Sequence, residues 1–200
     1  GILLSGSPFL RYRHNDYDQL ERLVQKNACQ YETIIILTES IFSMDGDVAD
    51  LNRLIAIKRQ YPNILLYVDE AHAIGARGKT GLGIAEEQSC IQEIDLLVGT
   101  FGKAFSVYGG LFGFVPVRYG NYLVNTMRPL IFSTALPPFQ IAWTSFIWEQ
   151  LPSFTKEREN LLAYSRLLAE ALTGKGGEIS QSHIIPFIVG ESEDCVRKAE

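Results

Sequence analysis

Ile64-Leu65-Leu66-Tyr67-Val68-Asp69-Glu70-Ala71-His72 is the stretch on which the fold of this chain turns. Its apolar run is short and ends in acids and a histidine, the pattern of a buried strand delivering polar groups at its carboxyl end. A helix marked by Leu51, Leu54 and Ile55 precedes it and closes at the Tyr61-Pro62 break, since proline disfavours helix in the residue before it. Further upstream, Ile34-Ile35-Ile36-Leu37 within Thr33 to Thr38 reads as another buried parallel strand, whose exit carries Glu39 to Asp47. Before that, Asp16 and Gln19 have capping-box spacing, and Leu20, Leu23 and Val24 predict an amphipathic helix over about 16–28. Downstream, Leu96-Leu97-Val98 runs into Gly99-Thr100-Phe101-Gly102-Lys103, and Gly109 to Pro116 reads as a further strand. Such alternation of strand and helix predicts an α/β fold with a mostly parallel sheet flanked by helices, whose ligands lie outside the carboxyl edge.

Beyond Pro137-Pro138 the pattern turns helical, with Tyr164, Leu167, Leu168, Ala171 and Leu172 as an apolar stripe broken by Gly174-Lys175-Gly176-Gly177. His183 to Val189 reads as a strand opening a smaller α/β domain. The expected division is a larger domain over 1–150, then a connecting helix and the start of a smaller one over 151–200. The first residue is not Met and the last residues are helix-like, so the chain reads as a piece of a longer protein. A net charge of −5 argues against a nucleic-acid partner, and no apolar run is long enough to span a bilayer. Cys29, Cys90 and Cys195 are odd in number and widely spaced, which predicts neither disulfides nor a zinc site and suits a reducing cytoplasm. No metal is expected. Gly78-Lys79-Thr80-Gly81-Leu82-Gly83 lacks the spacing and preceding strand of a phosphate-binding loop and reads as a turn.

Three strand ends each supply polar groups: Ser43 and Asp45, Asp69 and His72, Thr100 and Lys103. Singly, each has a plain reading, because Asp69 can cap a helix, His72 can be a satisfied core histidine and Lys103 can be solvated. Together they suit an aldehyde cofactor, which needs an amine to hold it, an anion to keep its ring nitrogen protonated and donors for its phosphate. Lys103, Asp69 and Thr100 match those needs. Lys103 stands among small and apolar residues, where partial desolvation would favour a neutral, nucleophilic amine.

Five motifs in order, Arg13-His14-Asn15-Asp16, Phe42 to Asp47, Val68 to His72, Thr100 to Lys103 and Phe132 to Pro138, make the chain resemble the α-oxoamine synthases. These are a branch of the fold-type I enzymes that use pyridoxal 5′-phosphate (PLP), and the resemblance runs over essentially the whole sequence. It implies a large-domain fold of that type and PLP held by Lys103 as a Schiff base. Asp69 would pair with the pyridine nitrogen, His72 and Ser43 would hydrogen-bond around the phenolic oxygen, and Thr100 would contact the phosphate. His72 would also act in catalysis beside Lys103, by polarising the incoming carbonyl. Ser133 and Thr134 would reach the phosphate of a neighbouring subunit's cofactor, which implies a homodimer with shared sites. The implied reaction is a decarboxylating condensation of an amino acid, L-alanine, with a pimeloyl thioester of coenzyme A or acyl carrier protein. Other members pair glycine or serine with an acetyl or palmitoyl group, and a non-catalytic relative would lack the lysine. The family's ring-stacking aromatic and Gly-rich phosphate turn are not among these residues. Ser106-Val107-Tyr108-Gly109-Gly110 is bulkier than the family's run, a departure that bears on the acyl substrate rather than the cofactor.

Overall fold

The computed structural model describes residues 2–107, 111–114, 116–172 and 180–199. Its centre is a sheet in the order β1-β2-β3-β4, formed by β1 (Ile34–Glu39), β2 (Ile64–Asp69), β3 (Leu96–Thr100) and β4 (Leu111–Phe114). The first three strands are parallel, and β4 is antiparallel to β3. The connection over residues 101–110 is too short for the crossover that a parallel neighbour requires, so the chain turns back beside β3. Parallel pairing brings the ends of β1, β2 and β3 to one edge, with Glu39 opposite Asp69 and Asp69 opposite Val98.

Helix α1 (Tyr17–Asn27) begins at the expected cap, where Asp16 Oδ1 accepts from the Gln19 N–H at 2.8 Å. The reciprocal half differs from a capping box: Gln19 Oε1 accepts from the Arg13 N–H, because the Asp16 N–H already donates to the Arg13 carbonyl. Helix α2 (Leu51–Lys58), capped by Asp50, buries Leu51, Leu54, Ile55 and Ile57 in one core with Ile36, Leu66 and Val68. Lys58 Nζ meets Asp95 Oδ2 at 2.6 Å, and the same oxygen accepts from the Leu66 N–H at 2.8 Å. That pairing ties α2 to β2 and to the entrance of β3. Burial on β1 is one-sided rather than complete, with Ile36 buried while Ile35 and Leu37 are 49% and 42% exposed. Their side chains alternate across the pleat, and this chain covers only one face.

After β2 the chain folds around Glu70, which is fully buried. Its carboxylate accepts from Ser40 Oγ at 2.5 Å and from the N–H groups of Ile84 and Ala85 at 3.1 and 2.7 Å, at the start of α3 (Ile84–Glu87). Gly83 has φ +90°, and a Cβ there would overlap the Glu70 carboxylate. The Gly-rich segment before it is the expected turn, in which Glu86 collects the Thr80 N–H and hydroxyl and the Leu82 N–H.

Helices α4 (Val117–Thr126), α5 (Arg128–Ile131), α6 (Pro138–Gln150), α7 (Thr155–Leu172) and α8 (Ser192–Ala199) follow. On α7 the apolar stripe faces outward: Tyr164, Leu167 and Leu168 are exposed, while Arg158 and Ser165 are buried. Arg158 donates to the Leu151 and Lys79 carbonyls, so this pairing sets the helix's rotation. The break at Gly174-Lys175-Gly176-Gly177 lies outside the described residues. Residues 183–189, expected as a strand, form no ladder beyond a bridge at Phe187. Serine hydroxyls meet the local backbone instead, Ser180 Oγ accepting from the Ser182 N–H and Ser182 Oγ from the Ile184 N–H, both at 3.1 Å. Among the described residues no helix is long and apolar enough to cross a membrane.

Glu70→Ala would leave three donors without their acceptor in the core, and Glu70→Gln would turn an amide N–H toward at least one of them. In the full-length protein each substitution is expected to cost at least about 2 kcal/mol of stability, measured by urea denaturation. An unchanged unfolding midpoint would contradict the role given to this carboxylate.

Candidate active site

The site is assembled where β1, β2 and β3 end. Asp69, half-buried as the last residue of β2, accepts from the Ala71 N–H through Oδ1 at 2.8 Å, which bends the chain and carries His72 over the edge. Glu39 occupies the matching place on β1, and its Oε2 accepts from the Ser43 N–H at 3.3 Å, drawing Ser43 to the same edge. His72 is half-buried and resists protonation, first because burial removes solvent and then because of the Lys103 charge, with Glu39 and Asp69 opposing. Residues from all three strand ends therefore share one electrostatic neighbourhood.

Lys103 sits in a loop pinned on both sides by aromatic rings. Phe105 is fully buried, meets Phe101 edge to face at 5.3 Å and stacks on Trp148 at 5.9 Å. Trp143 Nε1 donates to the Phe105 carbonyl at 3.1 Å, fastening the loop to α6. Within the loop, Thr100 Oγ1 accepts from the Gly102 N–H, Ser106 N–H donates to the Lys103 carbonyl, and Val107 N–H donates to the Phe101 carbonyl. Lys103 itself is exposed, contrary to the desolvation its neighbours suggested. Phe101 and Phe105 turn inward, and the residue midway between them is left facing out. Beside this loop, Ser106, Val107, Phe139 and Trp143 help line an open, largely apolar cavity of about 780 Å³.

The turn over Phe42–Asp47 is held by His14, whose Nε2 is 2.8 Å from Asp47 Oδ2 and whose ring meets Phe42 edge on at 4.4 Å. Asp45 is exposed on that turn. Ser133 and Thr134 are exposed between α5 and α6, and among the described residues no hydrogen bond joins them to the strand-end cluster. Three participants escape sequence reasoning. Glu39 gave the same signal as Asp69, an acid closing an apolar run. Arg77, in a turn after β2, is buried against Glu87, and His183 lies inside an expected strand; neither carried a pattern that tied it to this edge.

An amine, a carboxylate, a hydroxyl and an imidazole at one sheet edge are the donor set that an aldehyde-bearing, phosphorylated pyridine requires. Among the described residues there is no cluster of His, Cys, Asp and Glu able to hold a metal ion.

Comparison with known proteins agrees with that chemistry. The family model described as aminotransferase class I and II matches residues 1–200. A protein of Glaesserella parasuis provisionally named 8-amino-7-oxononanoate synthase is 54% identical over 100% of this chain and 53% of its own length. Its counterpart in Pasteurella multocida is 52% identical over 100% of this chain and 52% of its own length. The chain thus spans about half the length of the curated relatives it matches. Among solved structures, serine palmitoyltransferase from S. paucimobilis with a bound PLP–myriocin aldimine superposes with a TM-score of 0.82 at 26% identity, over 92% of this chain and 48% of that one. The 8-amino-7-oxononanoate synthase of Francisella tularensis gives 0.73 at 29% identity, over 89% of this chain and 50% of that one.

His72 and His183 both bind protons less readily than an ordinary histidine of pKa 6.5, in each case chiefly through burial. Below that value the unfolded chain takes up more protons than the native one, so stability falls as pH falls through 6.5 and below. Replacing both histidines by Asn is expected to flatten this part of the stability–pH curve, read from denaturant midpoints between about pH 7 and pH 5. An unaltered slope would mean that neither histidine is held neutral by the fold.

Proposed function

We propose that this chain, which belongs to the aminotransferase class I and II family and has the fold-type I α/β architecture of PLP-dependent transferases, is the catalytic part of an α-oxoamine synthase. The observation that carries the reading is the parallel register that sets the ends of β1, β2 and β3 side by side, with Asp69 closing β2 and His72 and Lys103 in the loops that follow β2 and β3. When bound, PLP supplies an electron sink for the α-carbon of an amino acid. Lys103 Nζ would hold its aldehyde carbon and, as a free amine, would move the proton at the substrate α-carbon. Asp69 keeps the pyridine nitrogen protonated. His72 and Ser43 would hydrogen-bond around the phenolic oxygen, and His72 would also polarise the carbonyl of the second substrate. Thr100 contacts the phosphate. We assign Ser133 and Thr134 to the phosphate of a second subunit's cofactor, in a homodimer with shared sites; their exposure, beside the exposed Phe132 and Phe139, supports that reading.

The substrates proposed are L-alanine and a pimeloyl thioester of coenzyme A or acyl carrier protein, condensed with loss of carbon dioxide to 8-amino-7-oxononanoate, on the route to biotin. Identity of 52–54% to relatives carrying that name supports the choice over glycine with an acetyl group or serine with a palmitoyl group. Lys103 speaks against a non-catalytic subunit. Residues 1–150 are assigned to a cofactor-binding domain and 151–200 to a connecting helix and the start of a smaller one. Three free thiols, at Cys29, Cys90 and Cys195, fit a reducing cytoplasm.

Turnover of the full-length protein with alanine, glycine and serine against pimeloyl, acetyl and palmitoyl thioesters is expected to favour alanine with pimeloyl; preference for serine with palmitoyl would overturn the substrate assignment. With PLP the protein should show a near-ultraviolet or visible band that borohydride shifts. Lys103→Ala should abolish that borohydride-sensitive band and lower turnover at least about 10²-fold, the scale of a positioned proton-transfer group. A variant that keeps both would refute the role of Lys103.

A further inference from the structure

The C-terminal segment is tied to the site by backbone contacts rather than by a ladder. Ser180 Oγ donates to the Gly46 carbonyl at 3.0 Å, on the turn that carries Ser43. Gly46 has φ +70°, and a Cβ there would overlap the Ile184 carbonyl oxygen and Ser180 Oγ, so the two segments lie in direct backbone contact. On the other side Arg77 Nη1 donates to the Gln181 carbonyl at 3.1 Å, while Glu87 holds the guanidinium through Nε and Nη2 at 2.9 and 2.6 Å. Arg77 belongs to the turns that follow His72, so residues 180–184 bridge the loop after β2 and the turn after β1. Ile184 packs on the main core, and Ser182 is buried.

His183 is in the middle of this bridge. Its Nδ1 is buried and has no hydrogen-bond partner among the described residues, an uncommon state for a polar atom. Burial disfavours protonation of the ring, and the charges of Arg77 and His72 oppose it further. The charges that act on His72 in turn are those of Lys103 from the loop after β3, Glu39 from β1 and Asp69 from β2. A neutral ring suits this position, since a cation there would be opposed by the Arg77 guanidinium.

We propose that His183 is a positioning residue of the site, seated in the 180–184 segment that holds the loop after β2 at its working distance from the turn that carries Ser43. This deepens the proposed function and rests on it for its catalytic consequence. The experiment uses the full-length protein and the variants His183→Ala, His183→Asn and Gly46→Ala. Two readouts are taken: kcat/KM with the preferred substrates, and the imidazole NMR titration of His72 in cofactor-free protein, assigned with His72→Asn. His183→Ala is expected to lower kcat/KM roughly ten- to a hundredfold, the effect of a misplaced reacting group. It should also move the His72 titration to higher pH, because water enters where the ring was. His183→Asn, which keeps part of the side-chain volume at this place, should recover part of both. Gly46→Ala should repeat the loss by forcing the Ile184 carbonyl away. If His183→Ala stays within about twofold of wild-type kcat/KM with an unmoved His72 titration, the proposal is overturned, whatever happens to its melting temperature. If the wild-type protein fails to bind PLP, the proposed function fails instead, while the NMR readout still decides whether His183 shields His72.

Discussion

Glu70 follows the last residue of β2 into the interior, where a carboxylate has to be met by donors on every side or displaced. The donors come from separate pieces of chain: the Ser40 hydroxyl just after β1, and the N–H groups of Ile84 and Ala85 at the start of α3. Meeting them draws the segment after β2 back beneath the sheet edge and binds the exits of β1 and β2 together. Gly83 is required because a side chain at that point would occupy the space of the carboxylate. Neighbouring residues on an extended chain point to opposite sides, so anchoring Glu70 inward leaves Asp69 directed toward the cluster.

The rest of the site repeats this arrangement of anchors beside functional groups. Phe105 and Phe101 are held against Trp148 and α6 so that Lys103, between them, reaches outward. Asp47 and Phe42 are held by His14, which steadies the turn around Ser43. Rigid packing of apolar or ionic neighbours thus directs polar groups that are themselves only half-buried or exposed. Such groups keep their freedom to bind a ligand while the backbone beneath them has little.

Much of this was legible in the sequence because its signals are local. Short apolar runs marked β1 and β2, Asp16 marked a helix start, and the Gly-rich segment before α3 read correctly as a turn. Less was legible where the outcome depends on a distant partner. The outward stripe on α7 accompanies Arg158 reaching the Lys79 carbonyl, and serine hydroxyls take backbone bonds over residues 180–184 where a strand was expected to begin. Neither contact leaves a periodic trace.

From residue order alone came the parallel α/β class, the three strand ends and the residues with chemistry to offer, since period, breaker residues and strand termini depend on neighbours in sequence. Tertiary structure decided that Glu39 joins Asp69 in the ladder, that Lys103 is exposed while Phe105 is buried, and that the segment carrying His183 lies against Gly46. Those outcomes depend on which backbone and side-chain groups must satisfy one another across long stretches of chain. Such pairings are set by hydrogen bonding and burial in three dimensions, which spacing along the chain does not encode.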